Sequence, residues 1–306
     1  MFQLLSRTLL VWMMISAFTE IALGAACCGG GGGSASGPSL IADDNMALFA
    51  SSYSMTEVVV DNVDSKGIWR VSSEHQQIKS LKLELSHVFW DRWQAGLALP
   101  FFSRSQYGQS YSGLGDIAGM VGYEILPDWN YNFYRPKILG YLQLTLPTGK
   151  SKMESEIGGL DSRGNGLWAL GAGTLITKTW SRWDVFSSLE LHRAFEKQVN
   201  NSQISGTLKP GFGGNFGVGV GYNLQSFRLG SSLTWTHEDP AVFENSFGVS
   251  PGTQERYATG ALSASYIPND DWTGTLSYSD QTLFGDPLNT SLGRALAIQL
   301  QHHWQR

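Results

Sequence analysis

Residues 212–224 alternate with a period of two. Phe212, Phe216, Val218, Val220, Tyr222 and Leu224 fall on one face, broken only by Gly214, and Gly213, Asn215, Gly217, Gly219, Gly221 and Asn223 fall on the other. That period belongs to an extended strand, whose successive side chains point to opposite sides. Soluble strands run to about five or six residues. A tilted strand that crosses a bilayer needs about nine to eleven, and this stretch is long enough. Aromatic residues stand near both ends of its apolar face, at the depths where two membrane interfaces would lie.

The same rhythm recurs along the chain and predicts an all-β fold, a transmembrane antiparallel up-and-down barrel of about twelve strands. Residues 45–54 make a weak first strand, and 57–77 read as a polar loop with a short strand of its own at 68–71. From Ser80 onward the strands are long. The second sets Leu81, Leu83, Leu85 and Phe89 against Lys82, Glu84 and Ser86, then turns at WDRW, residues 90–93. The third carries Ala95, Leu97, Leu99 and Phe101, and a loop of serine, glycine and tyrosine follows over 103–113. The fourth opposes Ile117, Val121, Tyr123 and Ile125 to Asp116, Met120 and Glu124. A turn at Pro127, Asp128 and Trp129 leads to the fifth, with Ile138, Leu142, Leu144 and Leu146 outward. Strands six and seven flank WSRW at 180–183, and eight and nine flank Gln225-Ser226. The tenth, 256–267, has no assignable facing. The eleventh begins at Trp272, and the twelfth, 292–304, alternates Leu296, Ile298, Leu300 and Trp304 with polar and small residues. An even count puts both chain ends and every short turn on one side, expected to be periplasmic, with the long loops outside the cell. Seven tryptophans, at 90, 93, 129, 180, 183, 272 and 304, collect at the short-turn end. An amphipathic indole ring favours a membrane interface.

Composition agrees. The chain holds 36 glycines and 11 tryptophans among 306 residues, with only 15% charged, whereas glycine averages about 7%. Past the N-terminus no long apolar run follows, which excludes a helical membrane protein. A net charge of −5 argues against a nucleic-acid partner, which calls for a basic patch. Residues 1–26 have the form of an export signal, with Arg7 before the apolar run 8–19 and small residues at 22 and 24–26. Residues 27–43 read as a flexible glycine-rich tail, and 44–306 as the barrel. Cys27 and Cys28 follow the signal directly. Cys27 is a lipidation candidate, although Gly24 stands where a lipobox has leucine; adjacent thiols also suit a soft metal or a redox role, but no partner ligand lies nearby in sequence, and the plain alternative is two thiols in a flexible tail.

Candidate chemistry lies on the inward face. Parity places Lys82, Glu84, Asp116, Glu124, Glu190, His192 and Arg228 there, with Gln143, Gln299 and Gln301. Charges in a lumen stay wet or pair, whereas Lys or Arg facing lipid at mid-depth costs about 2–4 kcal/mol. These residues are the expected pore lining. Four carboxylates against Lys82 and Arg228 imply a slight cation preference, and the inward glycines of the eighth strand imply space for a passage. No GxSxG, P-loop or HExxH motif occurs. His87 and His192 have opposite parity, so they do not share a catalytic site, and adjacent His302 and His303 point opposite ways. Glu154, Glu156 and Asp161 lie in a loop without the EF-hand order of ligands. No enzyme activity, cofactor or metal is expected.

DRWQAGLALP at 91–100, GLGD at 113–116, LPTG at 146–149 and RWDVF at 182–186 together resemble the outer-membrane barrel family named for the meta pathway of phenol degradation. The likeness spans roughly residues 80–304. It implies a barrel in the outer membrane of a Gram-negative bacterium that transports small hydrophobic compounds, and it carries over no catalytic residues. The expected partners are the lipid bilayer and an unidentified small solute. The alternative is a non-conducting surface barrel with a structural or partner-binding role.

Overall fold

The computed structural model describes residues 40–42, 45–71, 76–157, 159–200, 205–246 and 248–305. The export signal, Cys27, Cys28 and most of the 27–43 tail lie outside the described residues. Twelve long strands form the wall: β1 (Asn45–Val63), β2 (Gln77–Phe89), β3 (Trp93–Gln106), β4 (Ile117–Leu126), β5 (Lys137–Leu146), β6 (Ala169–Trp180), β7 (Trp183–Ala194), β8 (Phe212–Leu224), β9 (Phe227–Glu238), β10 (Glu255–Asn269), β11 (Trp272–Asp280) and β12 (Thr290–Gln305). Each is antiparallel to the next, and β12 returns to pair with β1 over Asn45↔Gln305 to Val63↔Thr290. The ring therefore has no open edge, as hydrocarbon requires, because lipid cannot hydrogen-bond a stray N–H or C=O.

The two faces are inverted relative to a soluble protein. Leu142 and Ile298 are each 60% exposed on the outer wall, whereas Glu84 is 1% and Gln143 3% exposed within. Polar side chains inside and a continuous apolar surface outside mark a protein whose outer solvent is oil. The short-turn end carries an aromatic belt: Trp93 on Tyr123 at 4.8 Å, Trp183 on Tyr222 at 4.8 Å, and His302 between Trp272 at 4.5 Å and Trp304 at 4.4 Å. His303 faces the other way and meets Asn45 Nδ2 at 3.0 Å through Nδ1.

Four of the turns at this end are tight, and Trp90, Asp91 and Ser181 adopt the left-handed backbone such turns need. The fifth differs from expectation. Pro127, Asp128 and Trp129 do not close a short turn; residues 127–136 form a longer segment laid against the outer wall. There Asp128 pairs with Lys178 at 3.1 Å, the Tyr131 ring sits 4.5 Å from the same ammonium, and Trp180 Nε1 donates to the Phe133 carbonyl at 2.8 Å. Thr177 pairs with inward Lys137, so Lys178 faces outward, and this segment removes it from lipid.

The long-loop side is more ordered than its polarity predicts. β1 continues to Val63, well beyond residue 54, and the short strand expected at 68–71 is present as Trp69–Arg70, folded back on β1. Gln109–Leu114 lengthens β3 into a hairpin above the wall. Lys197–Asn200, Ser205–Lys209, Val242–Asn245 and Gly248–Pro251, all in segments read as loops, build one antiparallel sheet over the mouth. In β10, Leu262 and Tyr266 face out, and Ser265 faces in, hydrogen-bonding Thr275 at 2.9 Å.

The lumen as candidate functional site

Strand parity sends every second side chain into the ring, and the contents change with depth. At the short-turn end the chain itself enters the barrel. Ile41 N–H donates to Gln94 Oε1 at 2.8 Å, and Gln94 Nε2 donates to the Ile41 carbonyl at 3.2 Å. Ile41 packs on inward Leu48 and Val88. Gly122 is required here, since a Cβ would stand 2.9 Å from Gln94 and 3.3 Å from Leu40. The described end of the 27–43 segment, residues 40–42, thus sits inside the periplasmic end of the lumen.

Above this level, charges meet in pairs. Lys82 Nζ lies 3.0 Å from Glu84, and Lys137 lies 3.1 Å from Glu124. Arg228 engages both oxygens of Asp184, with Nε–Oδ2 at 3.0 Å, and Asn223 adds a hydrogen bond at 2.8 Å. Tyr141 lies beside Glu190. The inward glycines of β8 do not leave open space, contrary to expectation. A Cβ at Gly219 would fall 2.1 Å from Phe186, at Gly221 1.9 Å from Asp184, and at Gly213 within 2.4 Å of Glu238 and His192. These glycines make room for large neighbours on β7 and β9.

The extracellular half of the lumen holds a cavity of about 380 Å³. One wall presents Lys82 and Arg104, and the other Glu190, His192, Glu238 and Glu255. His192 bridges Glu190 at 3.4 Å and Glu238 at 2.9 Å. His87, on the outer face, has no part in it. Thus the seven expected lining residues all face the lumen: Lys82, Glu84, Glu124, Glu190, His192 and Arg228 are each held by a side-chain neighbour, and Asp116 lies on the cavity lining. Pairing of most of these charges weakens the cation preference inferred from their count.

Asp116 is different. Its Oδ1 accepts the Gly149 N–H at 2.8 Å, and its Oδ2 accepts those of Asn165 at 2.7 Å and Gly166 at 3.0 Å. Thr148 Oγ1 donates to the Gly115 carbonyl at 2.6 Å and accepts from Ile117 N–H at 3.0 Å. GLGD and LPTG are therefore two halves of one lock, and a side chain at Gly164 would strike Asp116 at 2.4 Å. The lock folds residues 147–168 into the mouth. Within that loop Ser151 caps a short 3₁₀ turn, Lys152–Glu154, and Glu154 receives Lys197 at 2.6 Å. Lys150 reaches Asp161 at 2.6 Å. These carboxylates hold lysines and loop backbone; among the described residues no group of three His, Cys, Asp or Glu is placed to hold a metal ion.

Burial alone pushes the Asp161 carboxyl up, but hydrogen bonds from Lys150, Ser155 and the Glu156 backbone outweigh it and hold the group well below the usual carboxylate range. A depressed carboxylate stabilises above its unfolded pKa, and that contribution disappears only as pH falls through the depressed value. Amide-exchange protection of residues 150–163, corrected for intrinsic rates, is thus expected to be the same at pH 7 and pH 5. Asp161→Asn should lower it at both. Protection lost in the native protein between those two values would contradict the assignment.

A closed ring of twelve antiparallel strands, apolar outside and polar within, with tight turns at one end and long loops at the other, is the architecture of an outer-membrane β-barrel. Among solved structures, an outer membrane channel from Pseudomonas putida F1 is similar over 86% of this chain and 99% of that one, with a TM-score of 0.68 and 16% identity. Lower similarity links the chain to the β domain of the Bordetella autotransporter BrkA (TM-score 0.48, 13% identity, 85% of this chain and 100% of that one) and to a TodX monoaromatic hydrocarbon channel mutant (TM-score 0.44, 9% identity, 86% and 91%). No protein-family model matches the sequence. No curated protein matches it.

Proposed function

We propose that this chain is a passive channel of the Gram-negative outer membrane for small solutes, hydrophobic and aromatic ones included. The observation that carries the proposal is the cavity of about 380 Å³ inside a closed ring, lined in part by the long loops. A barrel that served only as a scaffold would gain from filling that volume, as it does lower down with Phe186 and Ile41. The similar Pseudomonas putida protein is an outer membrane channel, which supports a conducting role. The motif resemblance to the meta-pathway family supports the solute class. Residues 1–26 supply export in this proposal.

Planar-bilayer recording of the refolded protein tests it. Steady unitary steps are expected, and larger ones in Gln94→Ala, where residues 40–42 lose both hydrogen bonds that fix them across the lumen. Silence from both proteins, each shown folded by a heat-dependent shift on detergent gels, would leave the non-conducting surface barrel as the better account.

A further inference from the structure

We propose that the extracellular half of the lumen binds small molecules that join a carboxylate to an apolar body, with Arg104 and Lys152 taking the carboxylate. The inference rests on the lumen being the functional site, and deepens it by naming the ligand chemistry.

Formal counting favours the opposite sign, since carboxylates outnumber cations around the cavity. The decisive difference is which charges remain unengaged. Glu190 and Glu238 are occupied by His192, Asp116 by three backbone N–H groups, and Glu255 accepts from Thr290 at 2.9 Å. Lys82 is neutralised by Glu84. Arg104 has no ion pair among the described residues, and its Nε is buried without a hydrogen-bond partner; Arg163 on the same lining also has a buried Nε without a partner, but its other end is held by the Ser112 carbonyl, to which Nη1 donates at 3.3 Å. Lys152 projects from the short 3₁₀ turn close enough to Arg104 to feel its charge. Burial, then Arg104, depress the Lys152 ammonium below its usual range, and Glu255 opposes this only in part. Two like charges gathered in a restricted space, one with an orphaned donor, are costly until an anion joins them. A guanidinium fork beside an ammonium suits a carboxylate, which the arginine can take through two hydrogen bonds.

The rest of the cavity specifies the body of the ligand. Ile78, Ala98, Pro100, Phe102 and Leu208 line it beside the two cations. Its volume falls within the roughly 300–1,000 Å³ of small-molecule sites. β3, which carries Arg104, stands across the ring from β9, which carries Glu238. The unpaired positive charge therefore sits on the β3 side of the lumen and turns an entering amphiphile so that its acid end meets β3.

Benzoate, benzyl alcohol and benzylammonium share one ring and differ in charge, so they serve as probes. Equilibrium dialysis against the folded protein in detergent is expected to show benzoate bound at least tenfold more tightly than either of the others. Arg104→Gln and Lys152→Gln should each weaken benzoate by roughly tenfold, the size expected when a hydrogen bond to a charged group is lost, with little change for benzyl alcohol. In bilayers, benzoate added on the loop side should interrupt the current in the native protein and not in the double variant. Equal binding of the three probes, or benzoate binding indifferent to both substitutions, overturns the proposal. Selective benzoate binding by a protein that passes no current would uphold the site and refute the channel.

Discussion

Asp184→Ala is expected to lower the free energy of unfolding by about 3 kcal/mol, within the range of roughly 3–5 kcal/mol for breaking a buried ion pair from one side. Arg228 is left with neither carboxylate oxygen, and Asn223 loses its acceptor. The lower end of the range applies because about a tenth of each charged side chain is still accessible, 12% for Arg228 and 9% for Asp184. The cost is the ion pair the guanidinium loses, so removing both charges should recover most of it. Asp184→Ala with Arg228→Met is expected to be more stable than Asp184→Ala alone. Equilibrium denaturation in lipid vesicles, followed by tryptophan emission, measures both. A loss under 1 kcal/mol for the single variant would mean that water in the lumen solvates Arg228 and that the interior is wetter than the pairing implies.

The second large effect tests the other face. Ile298→Arg places a cation on the apolar wall midway along β12, between outward Leu296 and Leu300, at a site 60% exposed to the surroundings of the barrel. The expected cost is about 2–4 kcal/mol, falling to about 0–1 near an interface. His87→Arg supplies the contrast, since His87 also faces outward but lies two residues from the end of β2 at the short-turn side. Equal costs at the two positions would show that no depth-dependent hydrocarbon surrounds Ile298.

The wall was legible in the sequence because its two solvents differ so sharply. Lipid outside and water inside write a period of two into each strand, and the twelve strands stand where that period places them. It fails where the contrast fades. β10 offers alanine, serine and glycine on both faces, so Leu262 and Tyr266 alone could not fix its facing. The upper part of β1 hides behind Val58, Val59 and Val60, whose continuous run has no alternation. Contents of the lumen were legible only as parity. Which charge meets which depends on register between strands: Asp184 and Arg228 are 44 residues apart, and the inward position of Asp184 was overlooked. Arg104 fell in a segment read as loop, though carrying Pro100 and Phe102 on by one more step places it inward. For Lys152 no periodic signal exists, because the GLGD and LPTG lock that carries it into the mouth is a tertiary contact. Nor does composition reveal that the β8 glycines accommodate neighbouring side chains rather than open a route.

Pairing of the first strand with the last also governs how the molecule is made. Asn45 meets His303 across 258 positions of chain, so the seam forms only once the whole length has been delivered. Every earlier intermediate carries two raw strand edges, and contacts this distant in sequence form slowly. A chain cut short by even one strand at its C-terminus could not complete the circle, and assembly should be all-or-none rather than gradual.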